Sequence, residues 1–566
     1  MEIREPSELP TAPLPETPTP PTVSEVEPDV KPLHFSLDEA IRIALVNCDV
    51  VRVLGGSSGQ TIYDPAITNT QIDQERGGFD PSIGVQNDFT RRDTPFGVLD
   101  PSDPSRALID GLRTDSYEMA MGLSKTTITG GTAALNVNTS PSRSSAEDLP
   151  LNPETNSSVE LSFTQPLLRG SGIGPNLAPI EIARIDTERS FFQMKDSVQE
   201  LLRGVIEAYW ALVFARTDVW ARQQQVEQGE EALHRAEANL KVGLGDAAGV
   251  AQARSSLAGF RADLVTAEAS VFEREATLRN ILGMPPSDLT QLVPVTPPTS
   301  EQFDVEWENV VRTASERRPD LIELKLIIEA DEQRHLMARR DSLPQVDATA
   351  LYRWNGLEGR MPDRSRIASG AGQFTGWQLG VNFSVPLGLR RSRAVLRQQE
   401  LIIMRDHANL RQGLHNALHV LAKNYRNLSQ YYEQYRAFKE ARTAARTNLD
   451  VQVARYRSGQ DTLYLNVLQA ITQWGNSVSA EAQALTQYNS ELANLERQAG
   501  VILEAHGVTF TEERYGSIGP LGRLFYDRCY PKDSRPGPNA DQYETDSEPA
   551  ENVFDLDAPM PPRREN

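Results

Sequence analysis

Two hydrophobic patterns alternate along the chain, and the alternation runs through twice. The first is helical. Ser36-Leu37-Asp38-Glu39 predicts a helix start, with Glu39 placed as in a capping box, and Ile41, Ala44 and Leu45 form the apolar stripe behind it. Val198, Leu202, Val205, Tyr209 and Leu212 then recur at steps of four and three. They predict a helix from near Asn176 to about Val242, roughly 100 Å long at 1.5 Å per residue. A break at Gly243-Leu244-Gly245-Asp246 follows, and helix resumes to about Leu282. The later half repeats this: Leu410, Leu414, Leu418, Leu421, Tyr425, Leu428, Tyr432 and Tyr435 average about 3.6 residues per step, between coiled-coil and straight-helix packing. Its break is Ser458-Gly459-Gln460-Asp461, with helix continuing to about Glu504.

The second pattern has a period of two. Ile83, Val85 and Phe89 alternate with Ser82, Gly84, Gln86 and Asp88; Val159, Leu161 and Phe163 alternate with Glu160, Ser162 and Thr164. Val346, Ala348, Ala350 and Tyr352 form another such run, and Trp377, Leu379, Val381, Phe383 and Val385 the clearest one. Two further runs, Tyr117 to Ser124 and Ala133 to Asn138, flank Thr129-Gly130-Gly131. This alternation predicts sheet with one apolar and one polar face, and it equally fits a barrel wall with lipid outside and water inside.

Proline placement supports the helices. Of 37 prolines nine fall in the first 32 residues, and none lies between Pro179 and Pro285 or between Pro386 and Pro520. Because an interior proline costs a helix about 3 kcal/mol, these gaps predict very long helices. Residues 1–32 (PTAPLPETPTPPTVSEVEP) read as a disordered Pro-rich tail, and residues 507–566 as an acidic, Pro-rich, mobile one. The first segment has neither the basic start nor the apolar core of a secretory signal, so a processed form or a misassigned start is expected.

Composition then removes several classes. The 566 residues carry 57 Lys+Arg against 78 Asp+Glu, a net charge of −21 that argues against a nucleic-acid binder. Cys48 and Cys529 are too few for a disulfide scaffold and lack zinc-ligand spacing. No window approaches the roughly 18 apolar residues of a membrane helix, which excludes a helical membrane protein and leaves a β-barrel open.

The halves align with each other. Val159-Glu-Leu-Ser-Phe-Thr-Gln-Pro166-Leu matches Leu379-Gly-Val-Asn-Phe-Ser-Val-Pro386-Leu, Gly243 answers Gly459, and Gln252-Ala253 answers Gln469-Ala470. The expected repeats are 33–300 and 301–506, each strand, strand, long helix, glycine turn, helix. Four to six strands are too few to close a barrel, and an open edge cannot sit in lipid, so several copies are needed; three would close one.

These features, with Leu37-Asp38-Glu39-Ala40-Ile41, Gln165-Pro166-Leu167-Leu168, Arg317-Arg318-Pro319-Asp320-Leu321 and Ala338-Arg339-Arg340-Asp341-Ser342-Leu343-Pro344, make the chain resemble the TolC-like outer-membrane efflux proteins over residues 33–505. The resemblance implies a mainly α chain with a membrane β-barrel portion. Its trimer shares one barrel in the outer membrane and an α-helical tunnel across the periplasm, and a periplasmic adaptor and an inner-membrane pump complete the path. It places Val242, Gly243, Leu244, Ser458, Gly459 and Gln460 at hairpin tips facing the adaptor. Acidic rings expected after the turns read Gly249, Asn466 and Gln469 here, while Asp246 and Asp461 lie in the turns and can supply a displaced ring at the entrance. Weaker cation selectivity and weaker divalent-cation block are expected than in an Asp-ringed relative. The usual four strands per chain are exceeded by the two runs around Thr129-Gly131, which either widen the barrel or rest in an outer loop.

Other motifs read blandly. Gly170-Ser-Gly172-Ile-Gly174 is a strand-to-helix elbow and not a dinucleotide loop, because Pro175 displaces the third glycine. His415 and His419 lack a third ligand and read as a polar helix face; Tyr431, Tyr432 and Tyr435 read as packing; Trp354 and Trp377 as an interface girdle; Cys48 as a buried thiol. Arg317 and Arg318 are expected in structural ion pairs. No catalytic constellation or cofactor motif emerges. The expected function is a passive exit duct for small molecules; protein export by a type I secretion system is the alternative, and a soluble coiled-coil scaffold is the alternative of another class.

Overall fold

A computed structural model describes residues 17–24, 31–146, 149–243, 246–458, 464–518, 524–536 and 548–554. In chain order the first elements are β1 (Lys31–Phe35), α1 (Leu37–Val46), β2 (Val50–Val53), β3 (Gly56–Thr61) and α2 (Asp64–Gly77). The Ser36 side chain caps α1 by accepting from the Glu39 N–H at 3.3 Å. Four long strands follow: β4 (Ser82–Asp100), β5 (Asp103–Thr126), β6 (Thr132–Ser144) and β7 (Glu154–Pro166). The Gly170–Gly174 elbow, with Gly170 and Gly172 both at positive φ, then turns the chain into α3 (Ile173–Lys241), 69 residues and about 100 Å long. It pairs with α4 (Ala247–Leu282).

The second repeat begins after β8 (Thr290–Pro294), which lies parallel to β1. It comprises α5 (Trp307–Arg317), α6 (Pro319–Asp341), β9 (Gln345–Arg360), the short β10 (Arg366–Ala368), β11 (Phe374–Ser384), α7 (Arg390–Arg457) and α8 (Tyr464–Ala499). The expected helix to Glu504 stops at Ala499, because Gly500 adopts φ +75° and a side chain there would strike the Arg317 carbonyl; a four-residue α9 (Ile502–Ala505) follows.

The long strands form one sheet, ordered β4-β5-β6-β7-β9-β11, with β10 on the far end of β9. Every pairing within it is antiparallel. The observed strands outrun the sequence expectation, since β4 and β5 hold 19 and 24 residues. Alternation gives no clear signal for their outer ends because apolar residues fall on both faces there: Phe96, Val98, Leu108 and Leu112 lie opposite to Ile83 and Leu123, while Leu99 and Ile109 share their face.

The core sits where the helices cross. Val198, Leu201, Leu202, Val205, Tyr209, Leu212 and Val213 of α3 are all at most 1% exposed and pack with Leu278, Ile281 and Leu282 of α4, with α1, and with α8. Lower down the packing thins to a two-helix seam. On α4, Ala253, Leu257, Phe260, Ala267 and Val271 recur at heptad-like spacing, and Gly229 of α3 lets Phe260 approach. On α7 the predicted stripe divides: Leu421, Leu428 and Tyr435 are buried, while Leu414, Leu418 and Tyr425 remain exposed.

Part of the C-terminal region expected as a tail has structure. β12 (Val508–Ile518) and β13 (Leu524–Pro536) form a hairpin, and a 3-10 turn at Ala550–Phe554 buries Phe554. Glu551 in that turn pairs with Arg216 of α3 at 2.7 Å. Alternation and periodicity carry no signal for a single docked turn.

Candidate conduit and entrance

The sheet presents an apolar band on one face. In register across it lie Ile83, Leu123, Leu135, Leu161, Tyr352 and Trp377, and beside them Val85, Met121, Val137, Val159 and Trp354. Trp377, Leu379, Val381 and Phe383 on β11 are 66–73% exposed, a band of about 20 Å at 3.3 Å per residue that suits the hydrocarbon of a bilayer. Trp354 meets Tyr352 edge-on at 4.6 Å, and Phe89 lies tilted against Tyr117 at 4.5 Å, which places aromatic pairs on this face as an interface girdle requires. The opposite face reads Gly84, Gly122, Asn136, Glu160 and Arg353, with Arg353 Nε donating to Glu160 at 2.9 Å. One face thus suits lipid and the other water. No described helix is long and apolar enough to cross a membrane.

Below the sheet, the linker 295–303 between repeats is tied to both halves. The buried Tyr209 hydroxyl accepts from the Val295 and Thr296 N–H groups at 3.1 and 2.9 Å and donates to the Phe35 carbonyl at 3.2 Å. Burial pushes its pKa up to about 12. Tyr488 mirrors it, accepting from Phe303 N–H at 2.8 Å and donating to Glu301 O at 2.9 Å. Asn489 clasps Thr299 in both directions, at 3.0 and 3.1 Å. Arg318 pairs with Asp320 at 2.8 Å and with Gln498, as expected of it, whereas Arg317 is exposed.

The lower halves of the two hairpins meet along an α3–α8 seam that sequence reasoning missed. Asp218 accepts from Ser479 and pairs with Arg222 at 3.3 Å; Arg222 also donates to Asn476 at 2.9 Å. Gln225 donates to the Ile471 and Thr472 carbonyls at 3.4 Å, and Gly475 makes room for it: a Cβ there would lie 2.3 Å from Gln225 Nε2. Trp220 meets Trp474 edge-on at 5.8 Å, and nearer the tip Asn239 donates to the Tyr456 hydroxyl at 3.3 Å. The available signal was Gln225 and Gly229 standing in a buried, small-residue stripe.

At the first tip, Val242 caps α3 and Gly243 turns with φ +77°. Val242 and Leu240 are exposed. Asp246 caps α4, its carboxylate accepting from Gly249 N–H at 2.8 Å, so the proposed entrance charge has a local structural task as well. At the second tip Ser458 caps α7, and Asn466 and Gln469 lie exposed one turn apart at the start of α8. Leu244, Gly459, Gln460 and Asp461 lie outside the described residues. His415 and His419 stack at 4.4 Å on an exposed face of α7, and no metal-competent cluster of His, Cys, Asp or Glu occurs among the described residues. Tyr432 packs against Tyr435 and Tyr488, and Cys48 is buried.

An apolar-banded antiparallel sheet fused to paired 100 Å helices defines an outer-membrane channel protein with a periplasmic helical tunnel. The family model for outer membrane efflux proteins matches residues 132–284 and 310–501, more than half of the chain, and the chain belongs to that family. The two matched stretches fall one on each side of the linker 295–303. The outer membrane protein TolC of Vibrio cholerae is 22% identical over 376 residues, covering 66% of this chain and 82% of that protein. Among solved structures, the Campylobacter jejuni CmeC channel superposes with TM-score 0.56 at 14% identity, covering 82% of this chain and 85% of that one. The open state of the Neisseria gonorrhoeae MtrE channel gives 0.55 at 18% identity, covering 82% and 89%. The chain is therefore an outer-membrane efflux channel and not an enzyme. The soluble-scaffold alternative, which required that no alternating strands exist, is set aside.

Proposed function

We propose that this chain is the exit duct of a three-part efflux system, in which three copies carry small molecules from an inner-membrane pump across the outer membrane. The single observation behind this is the six-strand wall, apolar on one face and open at both edges, continuous with two long helical hairpins. Such a wall conducts only when copies close it. A periplasmic adaptor would engage the tips at Val242, Gly243, Leu244, Ser458, Gly459 and Gln460, where exposed Leu240, Val242 and Leu465 offer apolar contact. Asp246, Asp461, Asn466 and Gln469 would border the entrance. The duct performs no chemistry; energy and cargo choice come from the pump, and opening spreads the hairpins at their tips.

Gly243→Val forces a β-branched residue into positive φ at the turn. Export of a fluorescent dye from cells should fall several-fold in Gly243→Val and Gly459→Val, while the assembled oligomer persists in outer-membrane fractions. Normal dye export in both variants counts against the tip assignment. Unchanged dye retention on deleting the whole gene, with loss of a secreted protein instead, moves the reading to protein secretion.

A further inference from the structure

Each of four strands is joined directly to a helix: α2 leads into β4, β7 into α3, α6 into β9, and β11 into α7. The β5–β6 hairpin joins none. Its turn instead lands on the strand-to-helix junction, where Gly172 N–H donates to Thr129 O at 3.3 Å and Gln165 Nε2 donates to the same carbonyl at 3.2 Å. Gly130 sits at φ +88°, and a Cβ there would lie 2.1 Å from the Gly170 carbonyl oxygen. Only glycine fits, so the turn is built into the shelf under the sheet.

The hairpin also carries the wall's chemistry. Leu123 and Met121 on β5, and Leu135 and Val137 on β6, continue the apolar rows on one face, while Gly122 and Asn136 continue the polar row on the other. A loop resting outside the membrane has no need of that alternation. β4 leaves the helices and β11 returns to them, so the two open edges run antiparallel and can pair between copies.

Width supplies the remaining argument. Six strands about 4.8 Å apart, tilted about 40°, occupy about 38 Å of circumference per copy. Four helices side by side at about 8–10 Å occupy about 32–40 Å. Four strands alone would take only about 25 Å. Near the membrane the helices beneath the wall are α2, α3, α6 and α7, and toward the tips they are α3, α4, α7 and α8. The wall with the extra hairpin therefore matches the tunnel below it.

Building on the three-copy duct proposed above, we infer that β4 of each copy pairs with β11 of the next, closing an eighteen-stranded barrel whose bore equals that of the helical tunnel.

Full-length oligomer purified from outer membranes tests this. Light scattering should give three copies of the 62.8 kDa chain; any other number overturns the reading beneath, and this inference with it. Given three copies, electron cryomicroscopy of the unmodified chain should count eighteen strands, and twelve would overturn this inference alone. Independently, single cysteines at 135, 136, 137 and 138 in a Cys48→Ser, Cys529→Ser chain should react alternately with a membrane-impermeant maleimide. Asn136→Cys and Asn138→Cys should label at least tenfold faster than Leu135→Cys and Val137→Cys. Equal rates at all four would show the hairpin lying outside the wall.

Discussion

Among individual residues, the two buried tyrosines hold the repeats together most directly. Tyr209→Phe keeps the ring in its packed site, edge-on to Phe35 at 5.4 Å, and strands the Thr296 N–H, whereas Val295 N–H keeps the Phe35 carbonyl at 3.1 Å. Leaving a buried donor unpaired costs about 1–3 kcal/mol, so thermal unfolding of the helical body, followed by circular dichroism, should move to lower temperature. Asp331 of α6 makes a different prediction. Burial pushes its carboxyl up, the neighbouring Asp406 adds to this, and Arg334 only partly opposes it; Asp406 is held down by Arg405. A carboxyl raised on folding stabilises the native state below its unfolded pKa, and that contribution is lost as pH rises through its folded value. Asp331→Asn supplies a neutral donor toward Asp406 without the titration. It should therefore melt slightly higher than the parent at pH 7 and equal to it near pH 3; a stabilisation that persists unchanged into acid would refute this account.

The element scale shows what the sequence disclosed and what it withheld. Periodicity located α3, α4, α7 and the core segments of all six wall strands, since a long helix or membrane strand repeats its burial pattern many times over. It withheld the outer reach of β4 and β5, where apolar residues fall on both faces, and the exposure of Leu414, Leu418 and Tyr425, because periodicity marks an apolar face without saying what covers it. It also withheld the polar seam of Asp218, Arg222 and Gln225, where each contact joins residues about 250 positions apart. Of the site, the first tip was legible from Gly243 alone, yet the cap made by Asp246 required the geometry. That cap separates two roles. Asn caps a helix as well as Asp, whereas Ala forfeits about 1 kcal/mol. Amides 247–250 should exchange at parental rates in Asp246→Asn and about fivefold faster in Asp246→Ala. Any loss of cation preference in Asp246→Asn single-channel recordings then reports charge and not fraying.

For the whole molecule, the contrast lies between a broad, dry upper core and a lower seam where polar contacts flank a narrower apolar strip of Ala221, Ile471, Trp474 and Val478. Around Tyr209 the helices are packed with fully buried apolar side chains, and separating them there would cost many kcal/mol. Toward the tips, the two hairpins of one chain are held by Asp218, Arg222, Gln225, Asn476 and Ser479, and by Asn239 with Tyr456. The partly exposed members of this set contribute about 1 kcal/mol each at most, while Gln225 is buried and belongs with the apolar strip. On the duct proposed above, opening is expected to start at the seam and stop at the core, with the hairpins pivoting below the linker 295–303. Removing one strand of the seam should shift the balance without unfolding anything. Arg222→Ala with Asn476→Ala, both outside the buried strip, should raise the open probability of purified channels in planar bilayers by about fivefold, as about 1 kcal/mol commands, at unchanged melting temperature. Tyr209→Phe, placed above the pivot, should lower the melting temperature and leave the open probability alone. If both variants open the channel equally, the hairpins move as one body with the core, and the pivot does not lie where the packing changes.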